Sequence, residues 1–407
     1  MSNPKNVQQA LAKEAQNYPL EAPVKILESK SELTIGIPCE NSAHEKRICL
    51  TPESVGVLVN QGVSVVIQSG AGSPSNFSDR LYSEKGAKIV YDIKTVFATN
   101  VVLKLNPPTL EELSFMSNGA TLLSAMQRGR MGQEYLIELN KKKITAIGFE
   151  LLEDKGGLKP IIRTLSEIAA NCIVSIAAEL LSNSDGGNGV LFGGITGVPP
   201  IKVLILGAGT IGQSVCRIAR NMGADVRVFD KDHYKLRRLK HDIGEQVYTS
   251  MIDNHTLAQE IQSADVVIGC LRSEEGQSLC VVSEDMVMSM KEGSVIIDAS
   301  ISQGGCFETS HVTDHTHPVF VKHGVIHYCV PNITSKVSQT STRALSYLFT
   351  PILLQVQKFG GINEMMRQKL WFQKGVYSYR GTITNYSLAK QHDLPFKSLE
   401  LLFAVDW

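Results

Sequence analysis

From residue 33 onward the chain alternates short apolar runs with stretches in which apolar side chains recur at helical spacing. Residues 33–37, 63–68, 88–91, 101–105, 121–126 and 144–149 have the length and β-branched content of strands buried on both faces. Between the first two, Thr51 can cap a helix whose first turn accepts Pro52, because a side-chain oxygen takes a free N–H there and proline needs none. This strand–helix–strand rhythm predicts a parallel α/β unit.

Residues 160–181 are too long and too apolar a helical pattern for an exposed helix, so burial between domains is expected. Glycine-rich segments at 185–189 and 193–197 follow. Further strand-like runs lie at 265–270, 294–299 and 326–330, before a second long apolar helix over 342–357 and a mixed tail over 360–407. Two long helices bracketing one unit predict that the tail rejoins the first. The expected fold class is therefore α/β, with two Rossmann-like parallel-sheet domains, one inserted into the other, and a cleft between them.

The inserted unit opens on Val203-Leu-Ile-Leu-Gly-Ala-Gly-Thr-Ile-Gly212. Gly207 permits the tight turn out of a strand, Gly209 has no side chain to obstruct a pyrophosphate, and Gly212 allows close helix packing. Thr210 and Ile211 begin a helix whose free N–H groups and positive dipole end suit phosphates. Val215, Ile218, Ala219 and Met222 keep helical spacing, Gly223 stops the helix, and residues 224–230 alternate as a strand ending in Asp230. A carboxylate there accepts both adenosine ribose hydroxyls and repels a 2′-phosphate, which selects NAD(H) over NADP(H). On this reading residues 1–32 are an N-terminal extension, 33–160 with 339–407 the substrate domain, and 161–338 the NAD-binding domain.

Composition narrows the partners. The 407 residues carry 40 basic and 40 acidic side chains, so no basic field argues for nucleic acid or a membrane surface. Eight cysteines without a CxxC pair read as reduced core thiols and a cytoplasmic setting. No charge-free apolar stretch approaches a membrane-spanning length, and residues 1–33 are unlike a signal peptide.

In order along the chain, Gly36-Ile-Pro38, Glu45-Lys-Arg47, Leu50-Thr-Pro52, Ser69-Gly-Ala-Gly72, Val102-Leu-Lys104, Leu165-Ser-Glu-Ile-Ala169, Gly193-Gly-Ile-Thr-Gly197, Gly207-Ala-Gly209, Gln303-Gly-Gly-Cys306 and Ser341-Thr342 are similar to motifs of the NAD-dependent alanine dehydrogenases and the related transhydrogenase α subunit. The resemblance covers residues 33 to beyond 347. It implies a two-domain subunit, usually in a hexamer, that interconverts L-alanine with pyruvate and ammonium.

The resemblance implies that Arg47 clamps the substrate carboxylate, which a planar guanidinium does in bidentate fashion. It also implies that Ser166, Asp230, Lys235, Gly269 and Asn332 contact the cofactor, Asn332 on the nicotinamide side. The chain departs from the family where chemistry is concentrated. A substrate-binding lysine is replaced by Asn106, with Lys104 two residues earlier on the same strand face; the catalytic histidine falls on Gln127 and the catalytic aspartate on Ser302. Removing a general base typically costs on the order of 10²- to 10⁴-fold, and neither an amide nor a hydroxyl readily accepts a proton near neutral pH. Asp298, Lys104, Arg128 and Arg130 are candidate stand-ins.

Three readings follow: an NAD-dependent amino-acid dehydrogenase acting on an amino acid and its 2-oxo acid, with altered or weak activity; a catalytically silent NAD(H)-binding subunit or sensor; and a transhydrogenase-like NAD(H) component. His311, His315 and His317 have no cysteine or carboxylate cluster to complete a metal site. Cys306 follows two glycines with no activating histidine beside it, so packing is expected.

Overall fold

The computed structural model describes residues 33–126, 131–154, 156–244, 247–272 and 279–405. The candidate Gln127, with Arg128 and Arg130, and the extension 1–32 lie outside the described residues. In chain order the first strands are β1 (Thr34–Ile37), β2 (Ser64–Gln68), β3 (Lys88–Val90), β4 (Val101–Leu103), β5 (Thr121–Ser124) and β6 (Thr145–Gly148). A second series comprises β7 (Lys202–Leu206), β8 (Asp225–Asp230), β9 (Tyr248–Met251), β10 (Val266–Gly269), β11 (Val295–Asp298), β12 (Val319–Lys322) and β13 (Val325–Tyr328). The chain ends with β14 (Val376–Tyr379) and β15 (Thr382–Ile383).

Two mostly parallel sheets result, ordered β15-β14-β6-β5-β4-β1-β2-β3 and β12-β13-β11-β10-β7-β8-β9. In the first, β1 lies between β2 and β4; in the second, β7 lies between β8 and β10. Strand order reverses at these two points, and helices leaving to opposite faces open a crevice at the carboxyl ends. The loops after β1, β4, β7 and β10 therefore carry most of the residues singled out by the sequence.

Thr51 caps the helix Pro52–Asn60, accepting from the Ser54 amide, as its sequence position requires. The long helices Pro160–Leu180 and Ser338–Phe359 pack on each other, the former also against Thr210–Asn221. Among the described residues Pro160–Leu180 is the one helix long and apolar enough to cross a membrane. Here Ile161, Ile173, Ile176 and Ala177 are buried, while Arg163, Glu167, Asn171, Ser175 and Glu179 form a narrow exposed stripe. Pro351 sits inside the second long helix on its exposed face, where water can satisfy the carbonyl it leaves without a donor.

The tail does return to the first sheet, through β14 antiparallel to β6. The sequence reading omitted β9, β12, β14 and β15. Both overlooked hairpins turn on a non-glycine residue followed by glycine at positive φ, His323 (54°) with Gly324 (74°) and Arg380 (47°) with Gly381 (83°). Arg and His carry no turn signal of their own, unlike the Asn or Asp usual before glycine in such turns. The cysteine expectation also needs adjusting, since none of the eight cysteines forms a disulfide but Cys280 is exposed rather than in a core.

Candidate functional site

Strand β4 ends at Leu103, two residues short of the apolar run; the Lys104 amide still bonds to Leu123 O, but the two amides after it turn to a side chain. Leu105 N and Asn106 N donate to Glu40 Oε1 and Oε2 at 2.7 and 3.1 Å. Lys104 Nζ reaches the same carboxylate at 3.0 Å, and Asn106 Nδ2 at 3.4 Å. Lys104 and Asn106 thus meet on one carboxylate, although both lie beyond the end of the strand rather than on its face. Lys104, however, is 1% exposed and held by Glu40, so it faces no open cleft.

Glu45 is the centre of a second, adjoining cluster. Its Oε1 accepts from Arg47 Nε at 2.7 Å and from the Arg47 amide at 3.1 Å; its Oε2 accepts from Arg47 Nη2 at 2.6 Å. Oε2 also accepts from Asn332 Nδ2 at 2.5 Å and Asn106 Nδ2 at 3.3 Å. Thr334 Oγ1 takes Arg47 Nη1 at 2.7 Å. Of the five guanidinium N–H groups, three are engaged by these bonds, which leaves two for a further acceptor.

Electrostatics separate the two carboxylates. Burial raises the Glu40 carboxyl above its ordinary value, Lys104 opposing and Glu45 adding to the effect. Burial also pushes Glu45 upward, but the Arg47 charge and the hydrogen bonds from Arg47 and Asn332 outweigh it and hold Glu45 below its ordinary value.

The loop carrying Arg47 is gripped by hydroxyls from the far end of the chain. Ser335 Oγ accepts from Lys46 N at 2.9 Å and donates to His44 O at 2.7 Å. Thr342 Oγ1 accepts from Ile48 N at 3.1 Å, and Ser346 Oγ from Thr51 N at 3.0 Å. Asn332, at φ 62°, begins this segment, and its carbonyl lies 3.3 Å from His315 Nε2.

In the second sheet the three glycines differ. A Cβ on Gly207, at φ 118°, would meet Cys270 O at 2.8 Å, and one on Gly212 would fall 1.8 Å from Gly207 O. One on Gly209 would meet nothing within 4 Å. Gly209 caps the helix Thr210–Asn221 without a side-chain hydrogen bond, so Thr210 and Ile211 offer uncapped backbone donors beside that open space. Asp230 points into the turn, Oδ2 accepting from Ala208 N at 2.6 Å and Oδ1 from Asp232 N at 2.9 Å. Lys235 stands 4.0 Å from Asp232, and Ser166 is half-buried on the Pro160–Leu180 helix. Gly269 has a packing reason of its own, since a Cβ would strike Phe307 at 2.7 Å and Cys306 at 2.9 Å.

Ser302 lies exposed in the short helical turn Ile301–Gln303. Asp298 is committed elsewhere: it is buried, and its oxygens accept from Ser300 N at 3.0 Å and Cys306 N at 2.8 Å, bracing the Gly304-Gly305 turn. Burial still raises its carboxyl above the ordinary value. His311 stacks on Phe320 at 3.6 Å. Sequence reading missed Glu40, Glu45 and Thr334 as organisers; the carboxylate two residues before Arg47 was the available signal.

Two α/β sheets with a glycine turn at one switch point and a buried arginine–carboxylate cluster at the other define a Rossmann-type protein of the dehydrogenase class. Models of the alanine dehydrogenase/PNT N-terminal and C-terminal domains match residues 36–169 and 173–386. Alanine dehydrogenase 2 of Staphylococcus aureus, strains Mu50 and N315, is 34% identical over 370 residues, covering 90% of this chain and 99% of that protein. A solved L-alanine dehydrogenase superposes with a TM-score of 0.81 at 31% identity, over 88% of this chain and 98% of that one. A transhydrogenase from Sinorhizobium meliloti shares the fold with a TM-score of 0.73 at 22% identity, over 87% and 99%. The chain belongs to the alanine dehydrogenase/PNT family.

Proposed function

We propose that this protein is an NAD-dependent amino-acid dehydrogenase of the alanine dehydrogenase type. The overall reaction is L-alanine, NAD⁺ and water to pyruvate, ammonium, NADH and a proton. The observation that carries the reading is the Arg47–Glu45–Asn332 chain, which joins a carboxylate-binding guanidinium after β1 to the segment after β13. Residues 33–160 with 339–407, and 161–338, remain the two domains of this reading.

The residues fit NAD(H). Gly209 has an ordinary φ of −75° and open space where a Cβ would stand, so the fold itself does not require glycine there. That vacancy suits a pyrophosphate, with Gly207 and Gly212 shaping the turn, Thr210 and Ile211 amides donating, and Asp230 and Lys235 at the adenosine end. Ser166, Gly269 and Asn332 complete the cofactor set. When bound, NAD⁺ supplies the hydride acceptor.

Arg47 orients the amino acid through its two remaining N–H groups, and Glu45 keeps the guanidinium from rotating. Asn106 can donate to the substrate but adds no charge. The protons released as the imine forms and is hydrolysed meet no family-type acid or base, because Ser302 is a hydroxyl and Gln127 an amide. Turnover is therefore slow. Small amino and 2-oxo acids are the partners, with no nucleic acid or membrane, in a cytoplasmic homo-oligomer, a hexamer by resemblance.

A silent NAD(H)-binding subunit is the second reading, favoured by the commitment of Asp298 to backbone amides. Titration with NADH, followed by assays with L-alanine and NAD⁺ and with pyruvate, ammonium and NADH, separates them. Tight NADH binding without turnover on any amino acid overturns the dehydrogenase reading.

A further inference from the structure

We propose that a groove between the helix His233–Ile243 and the edge strand β9 binds a second ligand, a phosphorylated small molecule of nucleotide size. The groove encloses about 420 Å³, within the range of small-molecule sites, roughly 300–1,000 Å³. It lies on the outer flank of the second sheet, where β9 has a strand partner on one side only.

Its lining is cationic. Arg237 and Lys240 project from one face of the helix, with the His233 ring a turn earlier, and among the described residues no carboxylate lines the groove. Neither Arg237 nor Lys240 has an ion-pair partner among the described residues, whereas Arg227 and Lys202 nearby in the same sheet are paired with Glu260. Unpaired cations on one wall are a repulsive arrangement that a dianion relieves. The Arg237 fork matches two phosphate oxygens and Lys240 adds a point charge. Thr249 contributes a hydroxyl, while that of Ser250 is turned onto the Met251 carbonyl at 3.0 Å. Leu236 and Met251 give an apolar floor against which a base or other flat group can rest.

The site is separate from the glycine turn. Its residues lie on the helix that follows Asp230 and on β9, whose Met251 pairs in register with Asp230, and none of them is among the cofactor positions above. The shared chemistry is phosphate; its source, a nucleotide or an inorganic polyphosphate, is resolved by the probes.

Equilibrium dialysis of the full chain with ADP, inorganic tripolyphosphate and a decameric glutamate peptide tests this, using wild type, Arg237→Ala/Lys240→Ala and Gly209→Glu. Tripolyphosphate, or ADP in Gly209→Glu where the cofactor turn is blocked, should saturate at one site per chain and weaken about tenfold or more when Arg237→Ala/Lys240→Ala is introduced. NADH affinity should stay within about threefold in the double variant, whose two side chains are exposed. Loss of phosphate binding in Gly209→Glu, an unchanged affinity in the double variant, non-saturating uptake, or tighter binding of the glutamate peptide would each overturn the proposal. Failure of NADH to bind wild type overturns the cofactor reading instead and leaves this comparison intact.

Discussion

A Cβ on Gly212 would stand 1.8 Å from the carbonyl oxygen of Gly207, while the same atom on Gly209 meets no protein neighbour within 4 Å. The two glycines of one motif answer to different demands, one from the fold and one from a ligand. Gly212→Ala should therefore destabilise the chain by several kcal/mol, roughly the range of overpacked core variants. Gly209→Ala should leave the melting temperature within about 2 °C yet weaken NADH binding about tenfold or more. Thermal melts paired with NADH titration read both; equal loss of stability in the two variants would contradict the distinction.

Glu45 leaves Arg47 buried without a counter-charge if it is removed. Breaking such a pair costs about 3–5 kcal/mol, so Glu45→Ala should unfold at markedly lower denaturant, and Glu45→Gln somewhat less so. In Glu45→Gln, KM for pyruvate or alanine should rise about tenfold while NADH affinity changes less than about threefold. Since the folded-state Glu45 carboxyl titrates below its ordinary value of 4.5, its stabilisation is complete above that pH and fades as pH falls through the lowered value. The variant should lose that component of acid sensitivity, seen as a flatter stability curve below pH 4.5.

Asn106 already approaches both Glu40 and Glu45, so a lysine there would add a cation between two carboxylates. The triple change Asn106→Lys, Gln127→His and Ser302→Asp should raise the rate with pyruvate, ammonium and NADH by on the order of 10²- to 10⁴-fold. No gain in a folded, NADH-binding triple variant would mean that these positions do not correspond to the family's acid–base groups.

His327 is buried between Thr309 Oγ1 at 2.8 Å and the Val325 carbonyl at 3.0 Å. Burial lowers its pKa from 6.5 to about 4, so the folded chain keeps the ring neutral while the unfolded chain protonates it. The resulting stabilisation is present above pH 6.5 and is lost as pH falls toward about 4. Chemical denaturation between these limits should show stability declining with acidity. In His327→Asn that slope should shrink, whatever the variant's stability at neutral pH.

The fold was legible where periodicity is local. The run into Gly207, the helix behind it and the strand ending at Asp230 all occupy the expected positions because each depends on neighbours in sequence. The hairpins at His323 and Arg380 were hidden, since paired flanking strands hold at positive φ two residue types that seldom adopt it and so give no turn signal. Within the site, Lys104 and Asn106 do approach one another through Glu40, but past the end of β4, where strand alternation does not govern them. The role of Glu45 did not, because its decisive partners Asn332 and Asn106 stand 287 and 61 residues away. Spacing along a loop carries no information about such contacts.

The hydroxyls of Ser335, Thr342 and Ser346 reach back across almost 300 residues to hold the loop around Arg47. During synthesis that arginine emerges early but has no fixed place until the last quarter of the chain has been made. Contacts of such long separation form late and slowly. The binding loop is therefore a timekeeper for the whole molecule: a polypeptide that stalls before residue 332 already holds the Gly207–Gly212 turn, yet lacks the Asn332, Thr334 and Ser335 side chains that fix Glu45, Arg47 and the loop between them.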